Sequence, residues 1–185
     1  METVKKLRSP KRNNTNNTPL HALFKATLRE AFDNERVFAR HLPSWAKAAT
    51  TPQLTRIIEN YTATVKKRVN VLQEKFTTLV QRSAKGEVVR ASIRHGNTVM
   101  INFDACAEAR DAALVIELQK ISHHQMAVYG ALAQLARTLQ WQPAAAVLHA
   151  FIQAEKEMDI ALSALAESKV NKAATKTLGK DEENE

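Results

Sequence analysis

The sequence predicts an all-α domain built as a bundle of four long helices. The chain of 185 residues has only four glycines and five prolines, which leaves little turn chemistry for a β-sheet fold. Its apolar residues recur at steps of three and four, the spacing that places them on one face of a helix. Aromatic residues make up only 5% of the chain, so the core must be built from Leu, Ile, Val and Ala, which suits helices.

The first helix is predicted to begin at Pro19, with Thr18 as its N-cap. Proline at the first helical position costs no hydrogen bond, because an N–H there would have no partner within the helix. One apolar stripe follows, and a single carboxylate, Glu35, interrupts it. The stripe consists of Phe24, Leu28, Ala31, Glu35, Phe38 and Leu42. We expect Pro43 to end this helix, with a short helical turn after it that carries Trp45.

The second helix is predicted to begin in the same way, at Thr51 and Pro52. Its stripe consists of Leu54, Ile58, Tyr61, Val65, Arg68 and Leu72. The apolar pattern then breaks, and Gly86 and Gly96 mark a long connection. Residues 88–95 within this connection have the pattern of a short helix.

The third helix has the most regular pattern, in which only Gln125 interrupts an apolar stripe of about seven turns. The stripe consists of Leu114, Leu118, Ile121, Gln125, Val128, Leu132, Leu135 and Leu139. Pro143 begins a fourth helix that has two apolar faces. One face carries Val147, Phe151, Ala154, Met158, Ala161 and Leu165, and the other carries Leu148, Ile152, Glu155, Asp159 and Leu162. Because both faces must be buried, this helix is expected at the centre of the bundle or in a dimer interface.

The connections indicate how these helices are arranged. Short links join the first helix to the second and the third to the fourth, whereas one long crossover joins the second to the third. This is the connectivity of a ferritin-like four-helix bundle. A coiled-coil dimer is the alternative, but the prolines divide the pattern into antiparallel hairpins. We predict a flexible basic arm at 1–18, the bundle at 19–168 and a flexible charged tail at 169–185.

Several short stretches also carry a resemblance to a known family. They are Leu42-Pro43 with Ala46-Lys47-Ala48-Ala49, Pro52 to Leu54, Arg110-Asp111-Ala112-Ala113-Leu114, Gln119-Lys120 with His123, Tyr129-Gly130, and Glu155-Lys156 with Asp159. Together they resemble the YciE/YciF-like family of bacterial ferritin-like stress proteins. The resemblance implies a bundle that forms homodimers, with carboxylate and histidine side chains facing inward on all four helices.

The resemblance implies metal-ligand positions, and four residues of this chain match them. They are Glu35, His123, Glu155 and Asp159. Most other implied ligand positions are substituted. The residues found there are Tyr61, Ala63 and Thr64 on the second helix, Ser122 and Gln125 on the third, and Ala150 and Gln153 on the fourth. The resemblance therefore implies a centre that has lost most of its ligands.

The chemistry of a dinuclear centre leads independently to the same expectation. Such bundles use a Glu from two helices and a Glu-x-x-His pair from each of the other two. Neither Glu-x-x-His nor His-x-x-Glu occurs in this sequence. We therefore expect no cofactor, no catalytic residues and no enzymatic activity. The alternative is an iron-handling oxidoreductase that binds iron or zinc with the four remaining residues.

Two of the four candidate ligands have a structural interpretation as well. Glu35 is either a vestigial ligand or a buried acid that pairs with Arg68, and we favour a salt bridge between them. His123 is interpreted as a packed, hydrogen-bonded histidine, with metal ligation as the alternative.

The charge of the chain suggests one further partner. The net charge is +8, and the first nineteen residues hold five basic side chains against one acidic one. The basic residues of this arm are Lys5, Lys6, Arg8, Lys11 and Arg12. They make weak, non-specific nucleic-acid binding the alternative to a solubilising role.

The remaining features point to an ordinary intracellular setting. No apolar run is long enough for a membrane span, and a single cysteine excludes an internal disulfide framework. We expect a cytoplasmic homodimer that acts through structure or association, and no small-molecule substrate is identifiable.

Overall fold

The computed structural model describes residues 18–81 and 87–177, and these residues are almost entirely helical. Their α-helices are α1 (Pro19–Ala48), α2 (Pro52–Lys75), α3 (Glu87–Asn102), α4 (Ala107–Thr138), α5 (Gln142–Leu165) and α6 (Asn171–Thr177). A π-helical segment, Ala166–Val170, joins α5 to α6 without a break.

The four long helices pack as two hairpins. Helix α1 lies against α2 and α4 against α5, and the hairpins meet where α1 contacts α4 and α2 contacts α5. Helix α3 belongs to the crossover between the hairpins and packs on α1 and α4. The predicted ferritin-like bundle with one long crossover is confirmed.

Proline marks the beginnings of the helices as predicted, but a side-chain cap forms at Thr18 and not at Thr51. The hydroxyl of Thr18 accepts a hydrogen bond from the amide of His21 at 3.3 Å, and proline lies in the first turn of α1, α2 and α5. The prediction that Pro43 ends the first helix is wrong, because α1 continues to Ala48. A proline inside a helix removes one main-chain hydrogen bond. Continuing the helix places Trp45 fully inside the core, which offsets that loss.

The helix in the crossover is longer than the predicted segment 88–95, and it is held tightly on α1. The indole of Trp45 donates a hydrogen bond to Asn97 at 2.9 Å. A Cβ atom on Gly96 would lie only 2.5 Å from the Trp45 ring, so the two helices approach closely here. Arg90 of α3 also pairs with Asp33 of α1 at 2.7 Å. These contacts make α3 a fixed part of the bundle.

Buried apolar side chains form two separate clusters along the bundle axis. One cluster includes Phe38, Leu42, Trp45, Leu54, Ile58, Leu118 and Leu162, and the other includes Phe24, Leu28, Leu72, Phe76, Leu132, Trp141 and Leu148. Four buried polar side chains lie between the two clusters, one on each long helix: Glu35, Arg68, Gln125 and Glu155. The bundle therefore has a polar layer in its middle.

Helical structure continues past Lys169, where the flexible tail was predicted to begin, as far as Thr177. Val170 within this part is only 1% exposed. Residues 1–17 of the predicted arm, which include its basic side chains, and the last eight residues of the predicted tail lie outside the described residues. No helix in the described ranges is both long and apolar enough to cross a membrane.

Candidate functional site

Each long helix contributes one polar side chain to the buried layer. They are Glu35 from α1, Arg68 from α2, Gln125 from α4 and Glu155 from α5, and none is more than 2% exposed. Each stands at a core position of its stripe, so the same periodicity that buries the apolar residues also buries these four. This layer, which we call the central layer, is the chemically distinctive part of the core.

The guanidinium of Arg68 lies between the two carboxylates of the central layer. Its Nη1 donates to Oε1 of Glu155 and lies 3.5 Å from Oε1 of Glu35. One buried cation therefore pairs with two buried carboxylates, which come from different hairpins. The ion-pair network links α1, α2 and α5.

Further hydrogen bonds fix the position of Glu35. The amide of Gln125 donates to its Oε1 at 2.6 Å, and the hydroxyl of Tyr129 donates to the same oxygen. Both partners come from α4, and they are four residues apart, so they project from the same side of that helix. Glu35 is thereby bound to the facing hairpin.

Glu155 is fixed in a similar way from two other helices. The hydroxyl of Tyr61 lies 3.0 and 3.1 Å from the two carboxylate oxygens and donates a hydrogen bond to them. The hydroxyl of Ser122 donates to the main-chain carbonyl of Glu155 at 2.9 Å. The central layer thus joins all four long helices through side-chain hydrogen bonds.

Three aromatic rings surround the guanidinium of Arg68. Its Cζ lies 5.4 Å from the ring centre of Tyr61, 5.9 Å from that of Tyr129 and 6.0 Å from that of Phe151. At these distances the negative faces of aromatic rings attract a cation. The three rings therefore help to stabilise the buried positive charge of Arg68.

The charges of the central layer do not balance if both acids are ionised. Burial raises the pKa of Glu35 to about 7; the charge of Arg68 opposes the shift and that of Glu155 adds to it. Burial lowers the pKa of Arg68, but Glu35, Tyr61 and Glu155 more than reverse this and raise it well above its usual value. At neutral pH the arginine is charged, and as the pH falls below about 7 Glu35 takes up a proton, which removes the extra negative charge.

Burial also raises the pKa of both tyrosines well above the usual value, and the nearby glutamates add to this shift. Tyr61 and Tyr129 are consequently neutral hydrogen-bond donors across the physiological pH range. Some buried polar atoms of the layer have no hydrogen-bond partner among the described residues. They are Oε2 of Glu35, Nε and Nη2 of Arg68, and Oε1 of Gln125.

The four predicted metal ligands are not brought together. Glu35 and Glu155 lie in the central layer, whereas His123 and Asp159 form a surface pair. Nε2 of His123 lies 3.2 Å from Oδ1 of Asp159, and the histidine side chain is 64% exposed. The interpretation of His123 as a packed residue is therefore wrong, because its helix position turns it towards solvent. Within the described ranges, no group of three or more His, Cys, Asp or Glu side chains is arranged to hold a metal.

Sequence reasoning missed the roles of Tyr129 and Ser122 in the central layer. A usable signal was present for Tyr129, which follows Gln125 by four residues and so lies on the same helix face. The role of Ser122 carried no such signal, because its hydroxyl binds a main-chain carbonyl of another helix.

The Arg-Asp-Ala-Ala-Leu stretch has a structural role outside the central layer. The carboxylate of Asp111 accepts hydrogen bonds from the Thr50 amide at 2.9 Å, the Thr50 hydroxyl at 2.9 Å and the Thr51 amide at 2.6 Å. These donors belong to the link between α1 and α2. Asp111, which is 1% exposed, therefore fastens the start of α4 to the first hairpin.

The bundle, its crossover and the central layer define a ferritin-like helical protein with a buried ion-pair network at its centre. A family model described as "Domain of unknown function (DUF892)" matches residues 19–175. The chain belongs to this family, and the predicted YciE/YciF-like relationship is confirmed.

Individual relatives agree with this assignment. The chain is 30% identical over 150 residues to protein YciF of Escherichia coli strain K12, an alignment that covers 80% of this chain and 90% of that protein. The crystal structure of the E. coli stress protein YciF matches with a TM-score of 0.78 at 26% identity, over 84% of this chain and 99% of that one. YcfI from Rhodopseudomonas palustris shares the fold, with a TM-score of 0.72 at 21% identity over 79% and 94% of the two chains.

Proposed function

We propose that this protein is a cytoplasmic, stress-associated member of its family that acts through structure and association rather than catalysis. Its central site holds an internal ion pair where a metal-binding relative would hold a metal. One observation carries the proposal: the guanidinium of Arg68 lies between Glu35 and Glu155. The description of the E. coli relative as a stress protein supports the biological setting.

The donor set of the central layer does not fit a dinuclear metal centre. Two metal ions in a low-dielectric core require several negative ligands and, in this fold, histidines. The layer offers two carboxylates, one of which has its pKa raised to about 7 by burial, and no histidine. Arg68 brings a fixed positive charge to the place that a metal cation would need. Electrostatic repulsion between the two cations disfavours metal binding there.

Metal uptake tests this proposal directly. Full-length protein is incubated with Fe(II) or, separately, with Zn(II), freed of unbound metal and analysed by mass spectrometry for metal per chain. We expect far less than one equivalent for the wild type. The Arg68→Ala variant removes the competing cation, so its uptake should rise, whereas Arg137→Ala removes an exposed arginine and should leave uptake unchanged.

A different result would overturn the proposal. If the wild type holds one or two equivalents, and if Glu35→Gln combined with Glu155→Gln abolishes that binding, the central layer is a metal site. The iron-handling oxidoreductase would then be the better interpretation.

The surface pair of His123 and Asp159 gives the metal-binding alternative a specific location. An imidazole and a carboxylate 3.2 Å apart are suitable ligands for zinc or Fe(II), although two ligands alone give weak binding. Metal that is lost in His123→Ala, but retained in the double glutamate variant, would identify this pair as the site.

We also propose that association takes the form of a homodimer. Ile116 on α4 and Ile160 on α5 are 52% and 68% exposed, and we assign these two apolar side chains to the interface. Sedimentation equilibrium should give twice the chain mass for the wild type. Persistence of the same mass after both residues are changed to Gln would place the interface elsewhere, and a monomeric wild type would exclude the dimer.

A further inference from the structure

Five basic side chains share one side of α1. They are Lys25, Arg29, Arg36, Arg40 and Lys47, separated by steps of four, seven, four and seven residues. Because successive residues of an α-helix are turned by about 100°, these steps place all five within an arc of roughly 60°. We call this set the cationic row. At a rise of 1.5 Å per residue it extends over roughly 33 Å.

The acidic residues of α1 point towards other helices. Asp33 pairs with Arg90 of α3, and Glu35 lies in the central layer. Glu30 lies close enough to His124 of α4 to interact with it electrostatically. The helix therefore separates its charges, so that every charge within the arc of the row is positive.

The row is accessible to a partner, and the described part of the chain leaves its charges without carboxylate partners. Arg36, Arg40 and Lys47 are exposed, while Lys25 and Arg29 are partly buried. Nε of Arg29 donates to the Leu79 carbonyl at 2.7 Å, which holds the Arg29 side chain in place. None of the five forms an ion pair with a carboxylate in the described ranges.

Helix α2 lies beside the row at Lys47, where its charges Lys66 and Glu59 offset each other. A groove of about 360 Å³ between the two helices is lined by Lys47 from α1 and Lys66 from α2. Thr55 and Thr62 add hydroxyl groups to its wall, and Glu59 contributes one opposing charge. The combined surface remains strongly positive.

We propose that the cationic row binds the phosphate backbone of duplex DNA without reading its sequence. Phosphate groups are closely spaced along the duplex, about one per 1.7 Å of its axis, so an extended row of basic side chains meets several of them. Arginine is well suited to such contacts, because its guanidinium can donate two hydrogen bonds to one phosphate. The length of the row is close to one turn of the duplex, about 34–36 Å.

Other anionic partners suit this surface less well. Binding to a lipid surface requires large apolar side chains beside the charges, to enter the headgroup region. The exposed large apolar residue of α1, Leu23, lies more than 100° around the helix from the centre of the row. Protein interfaces usually contain buried aromatic anchors. The row has only the half-buried Phe32 at its margin, where Arg36 covers the ring at 5.8 Å.

Fluorescence anisotropy with a labelled 30-base-pair duplex tests the proposal, using the full chain at several salt concentrations. If about four phosphates are contacted, the slope of log K against log salt should be roughly −3 to −4. Changing Arg36, Arg40 and Lys47 to Gln together should reduce the slope by roughly 3 and weaken binding at low salt at least about tenfold. The matched control changes Arg94, Lys156 and Lys172, three exposed cations of other helices, to Gln.

A third variant separates the row from the predicted arm. Here Lys5, Lys6, Arg8, Lys11 and Arg12 are changed to Gln in the full chain. Binding that persists in the arm variant and is lost in the row variant supports the proposal. Equal binding by the row and control variants overturns it, as does binding only to vesicles of anionic phospholipid. Thermal unfolding followed by circular dichroism shows that each variant is folded.

Discussion

Arg68 supplies the buried positive charge of the central layer. It stands at an apolar stripe position, yet two carboxylates and three aromatic rings surround its guanidinium. Removing one partner from a buried ion pair leaves an uncompensated charge. The stability of the bundle therefore depends on this side chain more than on any exposed basic residue.

We expect Arg68→Ala to lower the free energy of unfolding by about 3–5 kcal/mol. The control Arg137→Ala removes an exposed arginine and should change it by less than about 0.5 kcal/mol. Urea denaturation at pH 7 measures both. Adding Glu35→Gln and Glu155→Gln to Arg68→Ala should recover part of the loss, because the buried carboxylates are then absent. An Arg68→Ala variant as stable as the control would mean that the ion pair does not hold the core.

The raised pKa of Glu35 predicts a pH dependence of stability. Its pKa is about 7 in the folded chain against 4.5 in a solvated carboxyl group. The folded state therefore binds this proton more tightly than the unfolded state does. The contribution of Glu35 to stability is present in full below about pH 4.5, is lost as the pH rises towards 7, and changes little above that.

The variant Glu35→Gln should remove this component. Urea denaturation at constant ionic strength gives the free energy of unfolding of both proteins at pH 5 and at pH 8. Between these pH values it should fall further for the wild type than for the variant, by roughly one to a few kcal/mol. Tyr61, Arg68, Tyr129 and Glu155 face Glu35 in both proteins, so their effects largely cancel. Parallel pH dependences in the two proteins would show that Glu35 is not protonated near neutral pH.

At the scale of helices, the position of α3 depends on one close approach. Gly96 lies against Trp45, and an added Cβ would come within 2.5 Å of the indole ring. Gly130 in α4 is the control position, because an added Cβ there would have no atom within 4 Å. The two glycines therefore serve different purposes, although both lie inside helices.

We expect Gly96→Ala to destabilise the protein by about 1–3 kcal/mol, because the indole or α3 must move. Gly130→Ala should instead stabilise it by about 0.5–1 kcal/mol, since alanine is the better helix former. Thermal unfolding gives the sign for each, and near-ultraviolet circular dichroism reports on the tryptophan environment. Stabilisation by both substitutions would show that α3 is not held at this distance.

At the scale of the whole molecule, Asp111 connects the two hairpins. Its carboxylate accepts three hydrogen bonds from the link between α1 and α2. Hydrogen bonds to a buried charged acceptor are stronger than those between neutral groups. Asp111 of the Arg-Asp-Ala-Ala-Leu stretch thus contributes to assembly of the bundle and takes no part in the central layer.

We expect Asp111→Ala to lower the free energy of unfolding by about 2–4 kcal/mol, because two main-chain amides lose their acceptor. The control is Asp104→Ala, which removes a carboxylate that is 82% exposed and paired with Arg110, and should cost less than about 1 kcal/mol. Hydrogen exchange of the amides at 50 and 51 should accelerate in the Asp111 variant alone. Unchanged exchange would show that the link is held by other contacts.

Local patterns in the sequence predicted the four long helices, the crossover between them and the family. Apolar spacing identified α1, α2, α4 and α5, because each helix must bury one face whatever its neighbours are. The same spacing placed Glu35, Arg68, Gln125 and Glu155 at buried positions. These are local properties, which depend on residues three or four apart in the chain.

Which of these positions meet depends on how the helices pack against one another. His123 and Asp159 turned towards solvent, while Tyr61 and Tyr129 turned inward to donate to the two glutamates. Periodicity gives the direction of a side chain about its own helix axis, but not the rotation and height of the facing helix. The charge state of Glu35 was likewise undecided, because it depends on burial and on a guanidinium supplied by another helix.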